Sequence, residues 1–396
     1  MRITSVDAIL IPPEEFKFGN SRPVLCRINT DAGYYGYGEA GATFFMGSDA
    51  VFALIQEMAP LIIGMDPMYN EVIWEKIYNN GYWTKGNGAI IYSALSAIDI
   101  ALWDIRGKAT GLPVYALLGG KFRDKLRCYA SQLQFGFDKT DPKFSAEEYR
   151  EVAEEAVRRG YDAVKVDPMV FGRERGGEQL TSKQEFAFFD HKTLNTIAER
   201  IEATRQGVGK DADIIVEMHC TTRLPNAIQV AKAVEPYDIM YLEEPIAPLC
   251  PDATKQLAES TTIPLTNGER TYLRSGFLPF LQDRSLSMLQ PDLGLCGGLT
   301  EGKKIADMAY TYDVGIQAHV CGTPISVAAG VQLEAAIANF TIHETHVSCL
   351  HDDFREMGTY DDFVPINGYI TVPDRPGIGQ ELSDAALRRA VIATIK

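Results

Sequence analysis

The chain is 396 residues long, 46% hydrophobic, 23% charged and 10% aromatic, which fits two or three folded units and excludes disordered, collagen-like or small disulfide-stapled scaffolds. Thirty-eight lysines and arginines against 53 aspartates and glutamates leave a formal charge of −15, which repels phosphate backbones and anionic membranes and argues against either as a partner. Seven cysteines, at 26, 128, 220, 250, 296, 321 and 349, form no CxxC pair, as expected of unpaired, mostly buried thiols in a reducing compartment. The first apolar run is broken by Asp7 and Pro12, and no stretch of 18 apolar residues follows, so the expected location is the cytoplasm.

In chain order, ITSVDAILI, PVLCRINT and the glycine-bearing DAGYYGYGEA predict a small antiparallel meander. Over 93–108, Leu95, Ile98, Leu102 and Ile105 recur at helical spacing up to Gly111 and Pro113, predicting a helix with a clear stop. From about residue 125 short apolar strands alternate with amphipathic helices, which implies a parallel sheet with right-handed crossovers. The predicted strands end on Glu217, Glu243, Glu269, Asp292, His319 and Glu344, spaced by 26, 26, 23, 27 and 25 residues. That period fits βα units closing into a barrel, whose chemistry sits at the C-terminal ends of its strands. The leucine-rich solenoid of similar period lacks its L-x-x-L-x-L pattern here. We expect an α/β barrel over 123–350, an α+β N-terminal capping domain over 1–122 that covers the barrel mouth, and a segment over 351–396 that returns to the cap.

Glu217, Glu243 and Glu269 would point into one barrel mouth from consecutive strands, and three carboxylates so placed repel. A hard divalent ion such as Mg²⁺ takes oxygen ligands and leaves positions open for substrate. Taken singly, each acid could equally be a helix cap or a surface residue. His319 and Asp292 end adjacent strands, so the carboxylate can orient an imidazole acting as base. His219 lies two residues beyond Glu217, and strand alternation would place both side chains on one face.

The motifs LEEP at 242–245, GER at 268–270, LQPDLGLCGGLTE at 289–301 and AH at 318–319, with SAIDIALWDIRGK at 96–108 and LGG at 118–120, together resemble the mandelate racemase branch of the enolase superfamily. The resemblance implies a modified TIM barrel, (β/α)7β, with a capping domain, and Mg²⁺ held by Glu217, Glu243 and Glu269. It implies a base dyad of His319 with Asp292, and Glu344 as the eighth-strand acid that hydrogen-bonds the enolate. Many relatives have Asp where Glu217 stands. In VKVDP, Lys165 matches the first lysine of the Lys-x-Lys found in racemases, while Asp167 stands at the second. The ligand-x-His pattern at His219 resembles sugar-acid dehydratases of the D-galactonate and D-mannonate type, where this histidine protonates the departing 3-hydroxyl.

The expected activity is therefore an Mg²⁺-dependent hydro-lyase converting a sugar acid to a 2-keto-3-deoxy acid, with Lys165, Asp167, His219, His319 and Glu344 around the substrate and a homo-oligomeric assembly. A racemase, epimerase or cycloisomerase of the same fold, or a non-catalytic sugar-acid binder, are the alternatives. Loops near 13–22 and 41–49 match the family's specificity loops, and part of the 171–191 excursion, with Arg173 and Arg175, could fold over the substrate. Phe44, Phe45, Met46 and Trp83 read as core or cap packing, and His343 and His346 as neighbours without a role.

Overall fold

The computed structural model describes residues 1–12, 21–41, 46–86, 88–137, 142–169 and 188–396. Strands β1 (Ile3–Leu10), β2 (Val24–Thr30) and β3 (Tyr35–Ala40) form the antiparallel meander, in a register that pairs Ala8 with Cys26 and Cys26 with Gly38. Helices Ser48–Ile62, Asn70–Asn80 and Ala89–Thr110 accompany it. Gly36 and Gly38 lie on one face of β3, and a Cβ on them would fall 2.2 Å from the Ala101 carbonyl oxygen and 2.0 Å from that of Ala97. Only glycine permits so close an approach of strand to helix. Helix Ala89–Thr110 is buried nearly all round because it lies between this sheet and the barrel. It stops at Gly111, whose φ of 71° suits a left-handed C-terminal cap.

Eight parallel strands follow: β4 (Lys125–Ser131), β5 (Ala163–Val166), β6 (Asp213–Glu217), β7 (Ile239–Glu243), β8 (Leu265–Asn267), β9 (Met288–Leu289), β10 (Gly315–Ile316) and β11 (His343–His346). They pair in chain order, and β11 pairs back onto β4 with Glu344 opposite Tyr129. A bridge from Ile316 to Phe340, just before β11, closes the ring. A helix packs outside between each successive pair, which is the (β/α)7β arrangement. The first of these, Ala146–Arg158, shows how sequence sets a boundary: Ser145 accepts from the Glu148 amide while the Glu148 carboxylate accepts from the Ser145 amide. Its buried Tyr149, Ala153 and Ala156 then follow at helical spacing. Near the C-terminus, β12 (Tyr369–Thr371) pairs with β4 of the barrel, and β13 (Val391–Ile395) becomes the outer strand of the cap sheet beside β1.

Two buried acids fasten the cap to the barrel. Asp99 accepts from the Thr300 amide at 2.8 Å and the Thr300 hydroxyl at 2.6 Å, at the start of helix Gly298–Thr311. Glu39 accepts from the Thr323 and Ser326 amides at the start of helix Pro324–Ala335. Each carboxylate satisfies amides that a helix N-terminus leaves without partners.

Several expectations need correction. Met46 and Trp83 are 89% and 75% exposed rather than packed, and the Trp83 ring meets the exposed ring of Tyr82 edge-on. Cys26, Cys128 and Cys296 are buried, but Cys220, Cys321 and Cys349 are partly exposed and Cys250 is exposed; all seven are free thiols. Among the described residues no helix is long and apolar enough to cross a membrane. Phe44, Phe45, Arg173 and Arg175, with most of the two specificity loops and of the 171–191 excursion, lie outside the described residues.

Candidate active site

The chemistry converges at the C-terminal end of the barrel. Glu217 and Glu243 are the last residues of β6 and β7 and stand opposite each other in register. Lys165 on β5 reaches between them: its Nζ lies 2.9 Å from Glu217 Oε2, 2.8 Å from Glu344 Oε1, and against Glu243. All four side chains are 1% exposed. Burial alone would pull the ammonium down, but the charges of Glu217, Glu243 and Glu344 outweigh it and hold Lys165 well above its ordinary value. Burial likewise raises Glu217, yet His219 and Lys165 bring it below the usual carboxylate range. Glu243 is pushed up by burial and by the neighbouring charge of Glu217.

On one side stands the predicted dyad. His319 Nδ1 donates to Asp292 Oδ2 at 2.7 Å, and the Gly294 amide donates to the other Asp292 oxygen at 2.7 Å. The first pairing orients the imidazole so that Nε2 faces the mouth. There Nε2 meets Glu269 Oε2 at 2.9 Å. Burial lowers the His319 pKa, but Glu344 and Asp292 raise it further, to about 9.

On the other side is a second pair of the same kind. His219 Nδ1 donates to Asp167 Oδ2 at 2.9 Å, and Asp167 Oδ1 accepts from the Met169 amide. Both oxygens of Asp167 are engaged and the residue is only 2% exposed, which suits it to orient His219. His219 does face Glu217, at 4.0 Å, though not by strand alternation. The strand has ended, and His219 and Cys220 adopt φ of 45° and 57°, turning the chain back so that the His219 amide donates to Glu217 Oε1. Burial lowers the His219 pKa, and Glu217 and Asp167 more than restore it.

Glu344 is the second residue of β11, not its last, and accepts from Ser131 Oγ at 2.6 Å and the Val320 amide at 3.0 Å. His346 beside it is held neutral, its pKa pushed down to about 3 by burial. His343 points to the other face of β11, where Glu334 accepts from it. Sequence reasoning missed Ser131, Gln132, Gln134 and Gln290. Gln290 Nε2 donates to Glu243 Oε2 at 2.7 Å, and Gln132 Nε2 lies 3.2 Å from His219 Nε2. Ser131, Gln132 and Gln134 follow or end β4, in KLRCYASQLQ, the one barrel strand whose end carries no ionisable residue to flag it.

The three predicted metal ligands are not gathered around one point. Glu269, two residues past β8, is drawn towards His319 and Arg270, and among the described residues no three ligating side chains form a ready metal cluster. The charge balance nonetheless fits a divalent cation. Asp167, Glu217, Glu243, Glu244, Glu269, Asp292 and Glu344 are seven carboxylates. Facing them are Lys165, Arg270 and two imidazoles, four positive charges at most. The donors are hard oxygens, suited to Mg²⁺.

Comparisons with known proteins agree with this geometry. Residues 148–386 match the family model described as enolase C-terminal domain-like, and residues 16–119 that for the mandelate racemase / muconate lactonizing enzyme N-terminal domain. A D-xylonate dehydratase of Haloferax volcanii is 34% identical over 92% of this chain and 84% of its own length. A D-galactonate dehydratase of Ralstonia nicotianae is 30% identical over 97% and 93%. The crystal structure of an enolase superfamily member from Salmonella Typhimurium superposes with a TM-score of 0.94 at 45% identity, covering all of both chains. With both of its domains matched and its barrel carrying the acids and imidazoles at the strand ends, the chain belongs to the mandelate racemase / muconate lactonizing enzyme family of the enolase superfamily.

Proposed function

We propose that the protein is an Mg²⁺-dependent sugar-acid dehydratase that converts an aldonic acid to its 2-keto-3-deoxy acid. The observation that carries this reading is the pair of carboxylate-oriented imidazoles, Asp292–His319 and Asp167–His219, on either side of the Lys165 cluster. Elimination of water needs one group to take a proton and another to give one. Glu217, Glu243 and Glu269 would hold the metal, which supplies positive charge to the substrate carboxylate as negative charge builds there.

In the proposed sequence His319 removes the proton alpha to the carboxylate, with Asp292 holding its Nδ1–H. Lys165 and Glu344 lie where the carboxylate and its developing enediolate would be met. His219 gives its proton to the 3-hydroxyl, which leaves as water with the C–O bonding pair. The enol that remains tautomerises to the 2-keto acid. Asp167 stands where a two-base racemase would carry its second lysine, and its carboxylate is engaged in orienting His219.

Incubation with a panel of aldonic and aldaric acids, with Mg²⁺ and with a chelator, should give 2-keto acid from at least one aldonate only when metal is present. Solvent-proton exchange and epimerisation at the alpha carbon, with no keto acid from any member, would establish the racemase reading instead.

A further inference from the structure

The backbone that carries His319 is held by three buried carboxylates. Glu334 Oε1 accepts from the Ala318 amide at 2.9 Å and Glu344 Oε2 from the Val320 amide at 3.0 Å. Glu39 accepts from the Thr323 amide at 2.8 and 3.0 Å, and also from the Thr323 hydroxyl and the Ser326 amide. The first two belong to the barrel. Glu39 alone comes from the cap, at the end of β3, and is 2% exposed. It sits so close to the loop after His319 that a Cβ on Gly322 would lie 2.8 Å from Glu39 Oε1.

Two residues further on, the same strand end meets the other half of the dyad. The Gly41 amide donates to the Gly294 carbonyl at 2.9 Å, and the Gly294 amide is the one that holds Asp292 Oδ1. A Cβ on Gly41 would stand 3.1 Å from that oxygen. Residues 39–41 therefore touch both loops whose separation sets the distance from His319 Nδ1 to Asp292 Oδ2.

We propose that Glu39 is a positioning residue for the Asp292–His319 dyad, through which the capping domain holds the imidazole in the geometry needed for proton removal. This rests on the reading of the dyad as the base. Interdomain fastening alone would explain a loss of stability on mutation. It would not explain a change confined to the proton-transfer step. A base displaced by a fraction of an ångström loses rate steeply, on the order of tenfold to a hundredfold, while substrate affinity, set mainly by other groups, should hold.

The test uses the full chain with Mg²⁺ and an aldonate that it turns over. Glu39→Gln keeps the shape but can no longer offer two acceptor oxygens. It should lower kcat by about ten- to a hundredfold with KM changed by less than about twofold. The primary isotope effect with alpha-deuterated substrate should rise as proton removal becomes slow. Gly41→Ala, whose methyl would crowd Leu295 Cγ at 2.6 Å and Asp292 Oδ1 at 3.1 Å, should reproduce the rise, and Glu39→Asp, which keeps the carboxylate but shortens its reach, carries the test if Glu39→Gln does not fold. Wild-type kcat and isotope effect in the folded variants, with only Tm lowered, would reduce Glu39 to an interdomain fastener and overturn the proposal. His319→Asn, run in parallel, separates the two claims: retention of alpha-proton exchange in that variant refutes the base assignment itself.

Discussion

The carboxyl of Asp99 offers a stability measurement whose sign and size follow from its surroundings. It is 1% exposed, joins the longest helix of the cap to Thr300 of the barrel, and faces Glu301 and Lys304 on the helix it caps. Burial raises its pKa to about 7, against the pull of the two Thr300 hydrogen bonds and Lys304. A raised carboxylate pKa means that the folded state binds the proton more tightly. The associated stability is complete below the unfolded value, near 3.8, and is lost as pH rises to about 7. Between pH 5 and pH 8 that loss amounts to about 2–3 kcal/mol, at about 1.36 kcal/mol per pH unit. Asp99→Asn mimics the protonated acid: its carbonyl can accept from the Thr300 amide and its amide can donate to the Thr300 hydroxyl. Urea unfolding of the two proteins should then give stabilities within about 1 kcal/mol at pH 5. At pH 8 the variant should gain about 2–3 kcal/mol relative to wild type. Asp99→Ala, which leaves the Thr300 amide buried and unpaired, should cost about 2–4 kcal/mol at pH 8. A wild-type-to-Asn difference that stays constant from pH 5 to pH 8 would show that Asp99 is ionised in the fold at its ordinary value, with the helix N-terminus outweighing burial.

Glu243→Gln and Glu269→Gln should each weaken Mg²⁺ binding by calorimetry and abolish turnover, and full wild-type activity in excess chelator would remove the metal from the reaction. His219→Gln should lose about 10²–10⁴-fold in keto-acid formation while alpha-proton exchange in D₂O continues; elimination at the wild-type rate would make His219 a structural residue. Asp167→Asn should depress elimination in the same selective way, because the amide cannot hold the imidazolium as the carboxylate does, and unchanged kcat would return Asp167 to a purely structural role. Gly38→Ala should prevent soluble folding or lower Tm sharply, since its methyl would fall within 2.0 Å of a helix carbonyl; a wild-type Tm would contradict the packing of strand on helix.

Much of the barrel was legible because its signal is periodic. Acids and imidazoles recur about every 25 residues in the sequence, and strand ends are where a barrel gathers them. Glu217, Glu243 and the Asp292–His319 pair fall together for that reason, whereas Lys165, 52 residues before Glu217, was marked only by the resemblance of VKVDP to Lys-x-Lys. What depends on local backbone rather than on period was not legible. His219 reaches the site through a left-handed turn, not through alternation, and Asp167 finds it across strands in a contact that no spacing encodes. Glu269 turns aside because Arg270 and His319 compete for it, an electrostatic balance set by three dimensions. Neutral partners such as Ser131 and Gln290 look in sequence like any other strand-end residues.

The glycine face of β3 has a dynamic consequence. Helix Ala89–Thr110 has no side-chain layer separating it from Gly36 and Gly38 on which to slide, and the same helix is anchored at Thr300 through Asp99. Sheet, helix and barrel therefore have no hinge among these contacts, and a swing of the whole cap away from the mouth would break buried polar contacts at both helix N-termini at once. Room for a ligand to come and go would be made by motions smaller than a domain, and amide exchange across this joint should be as slow as that of the barrel core.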